Sequence, residues 1–450
     1  IAYIFLITLS IFGIIFSFIL AQKNILYVSL KNIGKKNKSI RVKKLLYSDP
    51  RLKKGAKVVV VGGGSGLPIL LKGLKEYTAN ITAIVNVSDD DASLTTAMSD
   101  VEKLTPGDIR KCLAALSTNE SDMDKLLTYK EDLVSGQSVG NMIISSLIKI
   151  TGSFPKAVEK LSEIFDMQGN IYPVTTNDIV LCAGLENGEV VVGKENIIER
   201  VGKMKSPIKQ IFLKEGSITP IPEVIDAIKD ANVIVIGPGA LYTSVVSNFL
   251  IDDVAKAIVK SKAKKVYISN IMNQPGQKII PISLVSPGYT LARYVNEVER
   301  YLGKHVIDYA IVNNGEITEE MIKDFNQEES TPVKIDLENI QNRAISVIRE
   351  DLVLATKSGI IHDTKRLSEI IIRLAKSRRT GDLNIVKVKK KHMKSEKKLK
   401  KSSTNLNTKH NSSNSHKNIK NEKKEKIKEE KIAAHTKATM EKIKKTMKKG

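Results

Sequence analysis

Apolar residues fall into two rhythms along this chain. Residues 58–61 are four consecutive valines, a β-branched run of the kind found in a strand buried on both faces. Gly62, Gly63, Gly64 and Gly66 follow at once, and Leu67, Leu70, Leu71, Leu74 and Tyr77 then recur at helical spacing. Strand, glycine turn and amphipathic helix make the first unit of a parallel α/β sheet. The alternation returns downstream. Strands are predicted over 81–87, 232–236, 265–269 and 306–313, with a short one at 353–355. Helices are predicted from Ser138 through 150, over 221–229 and 254–261, and at 367–376. Short strands at 178–184 and 189–193 read as a β-rich excursion from an otherwise alternating α/β domain.

The turn after the first strand is chemically suggestive. Glycines let backbone N–H groups approach a phosphate, and the following helix N-terminus favours an anion. The pattern alone does not choose between anion capture and a tight structural turn. A P-loop ends in Gly-Lys-Ser/Thr, whereas Gly66 is followed by Leu67 and Pro68. The dinucleotide fingerprint needs a third glycine where Leu67 stands.

In parallel α/β sheets, ligands bind where strands end in loops at their carboxyl edge. Three further strand-end segments carry unusual chemistry here: Asp89-Asp90-Asp91, the stretch from Gly237 through Gly239 to Tyr242, Thr243 and Ser244, and Asn270. Asp89 stands where a ribose-binding carboxylate would sit, while clustered Asp89 and Asp90 also suit Mg²⁺, and a helix cap is the plain alternative. Asp108 and Arg110 follow Pro106-Gly107, and Arg110 is equally suited to a phosphate or to Asp108 itself.

Charge redraws the domain map. The net charge of +23 is not spread evenly. Residues 21–57 carry twelve Lys/Arg and one acid, Asp49, while 387–450 carry twenty-three Lys and six Glu. The stretch between them, 58–386, is left at −5. A nucleic-acid-binding globular domain is therefore not implied. The two basic arms are the places to look for an anionic partner, lipid or RNA. The Lys/Ser/Asn/Glu tract at the C-terminus cannot bury enough apolar surface to order itself and is expected to be a disordered tail.

Residues 1–20 carry no charge and are almost wholly apolar, a length that matches the ~30 Å hydrocarbon core at ~1.5 Å per residue. Lysines and arginines crowd its C-terminal side, so a membrane anchor would place the rest on the cytoplasmic face. A signal sequence and a buried helix are the other readings of this segment. The expected organisation is an anchor at 1–22, a basic linker at 23–56, an α/β domain at 57–380 and a Lys-rich tail at 381–450. The two cysteines, Cys112 and Cys182, form no CxxC, so neither a disulfide framework nor a cysteine zinc site is expected.

Five motifs occur in order: the glycine segment running into AIVNVSDD, then TPGDIRKCLAAL, SGQSVGNMI, VIGPGALYTSVVSNFL and SNIMNQPGQ. Together they resemble the YvcK/CofD-like family, and within it the bacterial gluconeogenesis-factor branch. The resemblance runs from about Lys57 to Ser377. It implies a Rossmann-like parallel sheet with flanking helices. It also implies binding of a nucleotide sugar of the UDP-glucose or UDP-N-acetylglucosamine type, and a role in cell shape during gluconeogenic growth. A homo-oligomer is expected. The sister branch, 2-phospholactate transferase, uses Mg²⁺. Carried onto this chain, the ligand-lining positions are Gly63, Gly64, Ser65, Gly66, Asp89, Asp90, Asp108, Asn141, Gly237, Gly239, Tyr242, Thr243 and Asn270.

The chain departs from the family pattern at several points. Ala92-Ser93-Leu94-Thr95 replaces a glycine-rich stretch after the aspartates, Gln137 replaces a histidine, and Ile361 replaces an arginine before His362-Asp363. Gln137 can hydrogen-bond but cannot shuttle a proton near neutral pH. These changes point towards weakened catalysis or altered ligand binding, and a regulatory binding protein is the first expectation. Two alternatives stand beside it: a Mg²⁺-dependent enzyme of the 2-phospholactate transferase type, and a degenerate membrane-anchored scaffold acting through the basic arms.

Overall fold

The computed structural model describes residues 50–86, 107–129, 138–376 and 385–386, together with residue 17. Within them 178, 202–205, 215, 217, 274–288, 325–330, 341–343 and 357–358 are not described. The segment 1–20 apart from residue 17, both predicted arms beyond residue 386 and before residue 50, and Asp89-Asp90-Asp91 therefore lie outside the described residues. Among the described residues no helix is long and apolar enough to cross a membrane.

The chain order of strands is β1 (Val58–Gly62), β2 (Ile81–Val85), β3 (Asn170–Pro173), β4 (Leu181–Leu185), β5 (Val190–Val192), β6 (Ile208–Leu213), β7 (Val233–Ile236), β8 (Lys264–Ile268), β9 (Tyr309–Asn313), β10 (Ser346–Glu350), β11 (Val353–Thr356), β12 (Gly359–His362) and β13 (Ile385–Val386). One sheet has the order β3-β2-β1-β7-β8-β9-β10-β13. Every neighbouring pair is parallel except β10 with β13.

This winding sets the site. The chain leaves β1 towards β2 and β3, then returns to lay β7 on the other flank of β1 and proceeds outward through β8 and β9. Val58 pairs with both Ile81 and Val233, so β1 is central and the strand order reverses between β1 and β7. That reversal opens a crevice at the carboxyl ends of the two strands.

The apolar run works as the sequence predicts. Val59 and Val61 face one buried cluster, shared with Ile234 and Ile236 and covered by helices Pro222–Asp230, Asp252–Lys260 and Leu291–Leu302. Val58 and Val60 face the other, shared with Val233 and Val235 and covered by helices Gly66–Leu74, Gly107–Leu116 and Thr364–Lys376. A strand with both faces covered must be apolar at every position, which is why β1 reads as a continuous run.

Some predicted elements differ in place. Asn170–Pro173 is an edge strand of the main sheet, parallel to β2, and not part of the excursion. The excursion itself is the antiparallel sheet β5-β4-β6. The short strand expected at 353–355 pairs with Gly359–His362 in a separate hairpin, and the main sheet takes Ser346–Glu350 instead.

Candidate functional site

Two glycine loops meet at the switch point. Gly62 ends β1 and Gly237 follows β7, and the Gly237 N–H donates to the Val61 carbonyl at 2.9 Å. The loops then pack so closely that side chains are excluded. A β-carbon on Gly239 would lie 2.8 Å from the Gly63 carbonyl oxygen, and one on Gly66 would lie 3.2 Å from Pro238. Gly64 and Gly237 also have positive φ, 66° and 85°. Glycine at these positions is thus required by the approach of two backbones as well as by chain direction. Ser65 is exposed at the start of helix Gly66–Leu74.

Asn270, just past β8, locks the second loop. Its Oδ1 accepts from the Gly239 N–H at 3.4 Å and its Nδ2 donates to the Gly239 carbonyl at 3.1 Å. Both ends of the amide thus hold the loop. The neighbouring Ser269 carbonyl accepts from His362 Nε2 at 3.0 Å, so Nε2 carries the ring proton. Burial lowers the His362 pKa to about 4. Asp363 caps the following helix, accepting from the Arg366 N–H at 3.1 Å. The His-Asp segment near the C-terminus is thus tied to the strand that carries Asn270.

Asp108 lies in the first turn of helix Gly107–Leu116 and reaches the first loop. Its Oδ2 accepts from the Gly64 N–H at 2.8 Å, and Lys194 Nζ stands 3.4 Å from the same oxygen. Arg110, one face further on, donates from Nη1 to Ser138 Oγ and not to Asp108 among its hydrogen bonds. Ser138 caps helix Val139–Thr151, accepting from the Asn141 N–H at 3.2 Å. Gly140 permits this contact, because a β-carbon there would lie 2.5 Å from the Leu127 carbonyl and 3.2 Å from Arg110 Cδ. Among the described residues, Arg110 Nε and Asn141 Oδ1 are buried with no hydrogen-bond partner. Such atoms are costly in isolation and suit a polar ligand.

The structure thus brings Gly63, Gly64, Gly66, Asp108, Gly237, Gly239 and Asn270 together around the two loops, with Ser65 exposed in the first; the Asn141 N–H instead donates to Ser138, which also accepts from Arg110 on the helix that carries Asp108. Thr243 and Tyr242 follow the second loop but are buried, and Thr243 Oγ1 has no hydrogen-bond partner. The Tyr242 hydroxyl lies 3.2 Å from that of Tyr289, in the core. Burial and Tyr289 push its phenol far above the usual tyrosine range. Its hydroxyl serves packing of the loop. Asp89 and Asp90 lie outside the described residues. Lys194 is a site residue that the sequence did not point to, while Ser244, the last residue of the strand-end segment singled out there, packs on both loops. Ser244 Cβ would sit 3.3 Å from β-carbons on both Gly63 and Gly239.

Beside this crevice a cleft of about 160 Å³ opens at the ends of β8 and β9, lined by Ser269, Asn270, Ile271, Asn313, Val333 and Ile335 among others. Its mixture of backbone polar groups and aliphatic side chains suits part of a small organic ligand. Among the described residues no group of three or more His, Cys, Asp or Glu is placed to hold a metal ion. Asp108 Oδ2 is engaged by Gly64 and Lys194, and the metal-ligand candidates Asp89 and Asp90 lie outside the described residues.

The fold and crevice define a doubly wound α/β protein whose candidate site is built from two glycine loops at the topological switch point. Residues 58–353 match the family described as 2-phospho-L-lactate transferase CofD, and the chain belongs to that CofD/YvcK family. It is 37% identical over 323 residues to the gluconeogenesis factor of Bacillus subtilis (strain 168), covering 71% of this chain and 98% of that protein. It is 34% identical over 318 residues to the gluconeogenesis factor of Halalkalibacterium halodurans, covering 70% of this chain and 95% of that protein. A crystal structure of a Bacillus halodurans protein superposes with a TM-score of 0.62 at 32% identity, covering 71% of this chain and 99% of that one.

Proposed function

We propose that this protein is a regulatory nucleotide-sugar-binding protein acting in gluconeogenic growth and cell-envelope morphogenesis. The ligand is of the UDP-glucose or UDP-N-acetylglucosamine type. One observation carries the reading: the loops after β1 and β7 pack backbone to backbone at the switch point, with Gly63 and Gly239 in van der Waals approach. Loops of this kind present N–H groups to phosphates. Buried Arg110 Nε and Asn141 Oδ1 nearby supply unspent polar capacity. The names of the relatives support the gluconeogenic role. Residues 1–20 and the basic arms support placement at the inner face of the cell membrane, a proposal that fractionation of the native protein tests directly.

Titration calorimetry on the full chain in mild detergent tests the ligand. UDP-N-acetylglucosamine, UDP-glucose and GDP are compared with and without Mg²⁺. Saturable UDP-sugar binding is expected; its absence at millimolar ligand removes the reading. The family description favours a second reading, a Mg²⁺-dependent transferase of the 2-phospholactate type. That reading requires product formation from a guanylylated lactate donor, with metal ligands from the Asp89–Asp91 segment.

A further inference from the structure

Lys194 is an isolated lysine in the sequence, the first residue of helix Lys194–Val201, just after the antiparallel excursion. The helix packs against residues 241–245, which follow the second glycine loop. From there Lys194 reaches 86 positions back along the chain to Asp108. Asp108 Oδ2 thus receives two donors: the Gly64 N–H of the first glycine loop and the Lys194 ammonium, at 2.8 and 3.4 Å. A loop N–H and a cation converging on one anionic oxygen form the donor set that a phosphate oxygen uses.

We propose that Lys194 is a phosphate-contacting residue of this site, and that Asp108 is its resting counter-ion until a phosphorylated ligand takes over the Gly64 N–H and the ammonium. The choice of ligand rests on the nucleotide-sugar reading above; the anion seat itself does not. Three features support an exchangeable contact. The Lys194 and Asp108 side chains remain 19% and 16% exposed, so neither is sealed from a ligand. The lysine stem is flexible and carries three donors, so it can follow an oxygen that arrives from solvent. A phosphate beside the Asp108 carboxylate would repel it, so the carboxylate must yield the seat it holds.

The test compares wild type, Lys194→Met, Lys194→Arg and Asp108→Asn as full chains. Each is titrated with UDP-N-acetylglucosamine, with uridine and with inorganic pyrophosphate, and melting temperature reports folding. Lys194→Met is expected to weaken UDP-N-acetylglucosamine and pyrophosphate by about 10- to 100-fold, as removal of one charge-assisted contact does. Uridine binding and melting should stay as in wild type, and Lys194→Arg should recover most of the affinity. Asp108→Asn should bind both phosphorylated probes several-fold tighter than wild type, because the seat loses its competing negative charge. Unchanged phosphate affinity in Lys194→Met overturns the proposal. So does a loss in Asp108→Asn equal to that in Lys194→Met, which would make the carboxylate itself a ligand contact. Wild type that binds pyrophosphate through Lys194 but no UDP-sugar would sink the nucleotide-sugar reading and keep this one; binding of neither probe overturns both.

Discussion

Gly239 approaches Gly63 so closely that a β-carbon on it would lie 2.8 Å from the Gly63 carbonyl oxygen. This contact joins the loop after β7 to the loop after β1, and its partner is backbone, which cannot rotate aside. Gly239 also has φ of 154°, a conformation that side chains disfavour. Gly239→Ala should therefore cost about 2 kcal/mol or more in urea unfolding, the range for a clash at a strained backbone position. Gly152→Ala is the comparison. Gly152 has φ of 80° but nothing within 4 Å of a β-carbon, so it should cost only the conformational term of about 1 kcal/mol. Equal costs at the two sites would show that the loops do not pack as described.

Asn270 is predicted to act on the loop. Its amide satisfies both the N–H and the carbonyl of Gly239. Asn270→Ala leaves both groups to find water or go unpaired, at about 1–3 kcal/mol. Asn270→Asp keeps the shape but replaces the donor facing the Gly239 carbonyl with a second acceptor, and should be no better than alanine. A fully stable aspartate variant in thermal melting would argue against the pairing.

Ser138 joins a helix cap to Arg110. Ser138→Ala removes the acceptor for the Asn141 N–H and for Arg110 Nη1. A loss of about 1–2 kcal/mol is expected from the cap alone. Ser138→Thr, which keeps the oxygen, should recover much of it. Denaturant midpoints for the three proteins decide the matter.

His362 predicts a pH dependence of stability. Its folded pKa, about 4, lies below the ordinary value of 6.5, so the unfolded chain binds the proton more readily. The neutral ring's contribution is complete above pH 6.5 and is lost as the pH falls from 6.5 through about 4. The loss is at most about 3 kcal/mol, and it levels off below the folded pKa. His362→Gln can still donate to the Ser269 carbonyl and has no titration. The stability difference between wild type and this variant should therefore change by a few kcal/mol between pH 7 and pH 4. A difference that stays flat would place His362 in water.

The sequence was most legible where one physical demand dominates. The run at residues 58–61 followed by glycines can only be a doubly covered strand entering a close backbone turn, and β1, the loop and helix Gly66–Leu74 appear as read. Ser346–Glu350 was not legible, because only Val347 and Ile348 face the core and its far neighbour is the edge strand β13. Val353–Thr356 has the composition of a sheet strand, but its pairing with Gly359–His362 depends on a local turn. At the site, glycines and Asn270 announced themselves at strand ends. Lys194 did not, since one lysine in a lysine-rich chain carries no signal and its partner is remote in sequence. Tyr242 stood beside the glycine loop in sequence, yet its side chain turns to Tyr289 and the core.

A crystal structure of the full chain with UDP-N-acetylglucosamine tests the central claim most directly. The account predicts density for the diphosphate against residues 62–66, within hydrogen-bond reach of the Gly64 N–H and the Lys194 ammonium, in the place that Asp108 Oδ2 holds at rest. A nucleotide sugar bound elsewhere, with the two glycine loops empty and Asp108 still on Gly64, would contradict it.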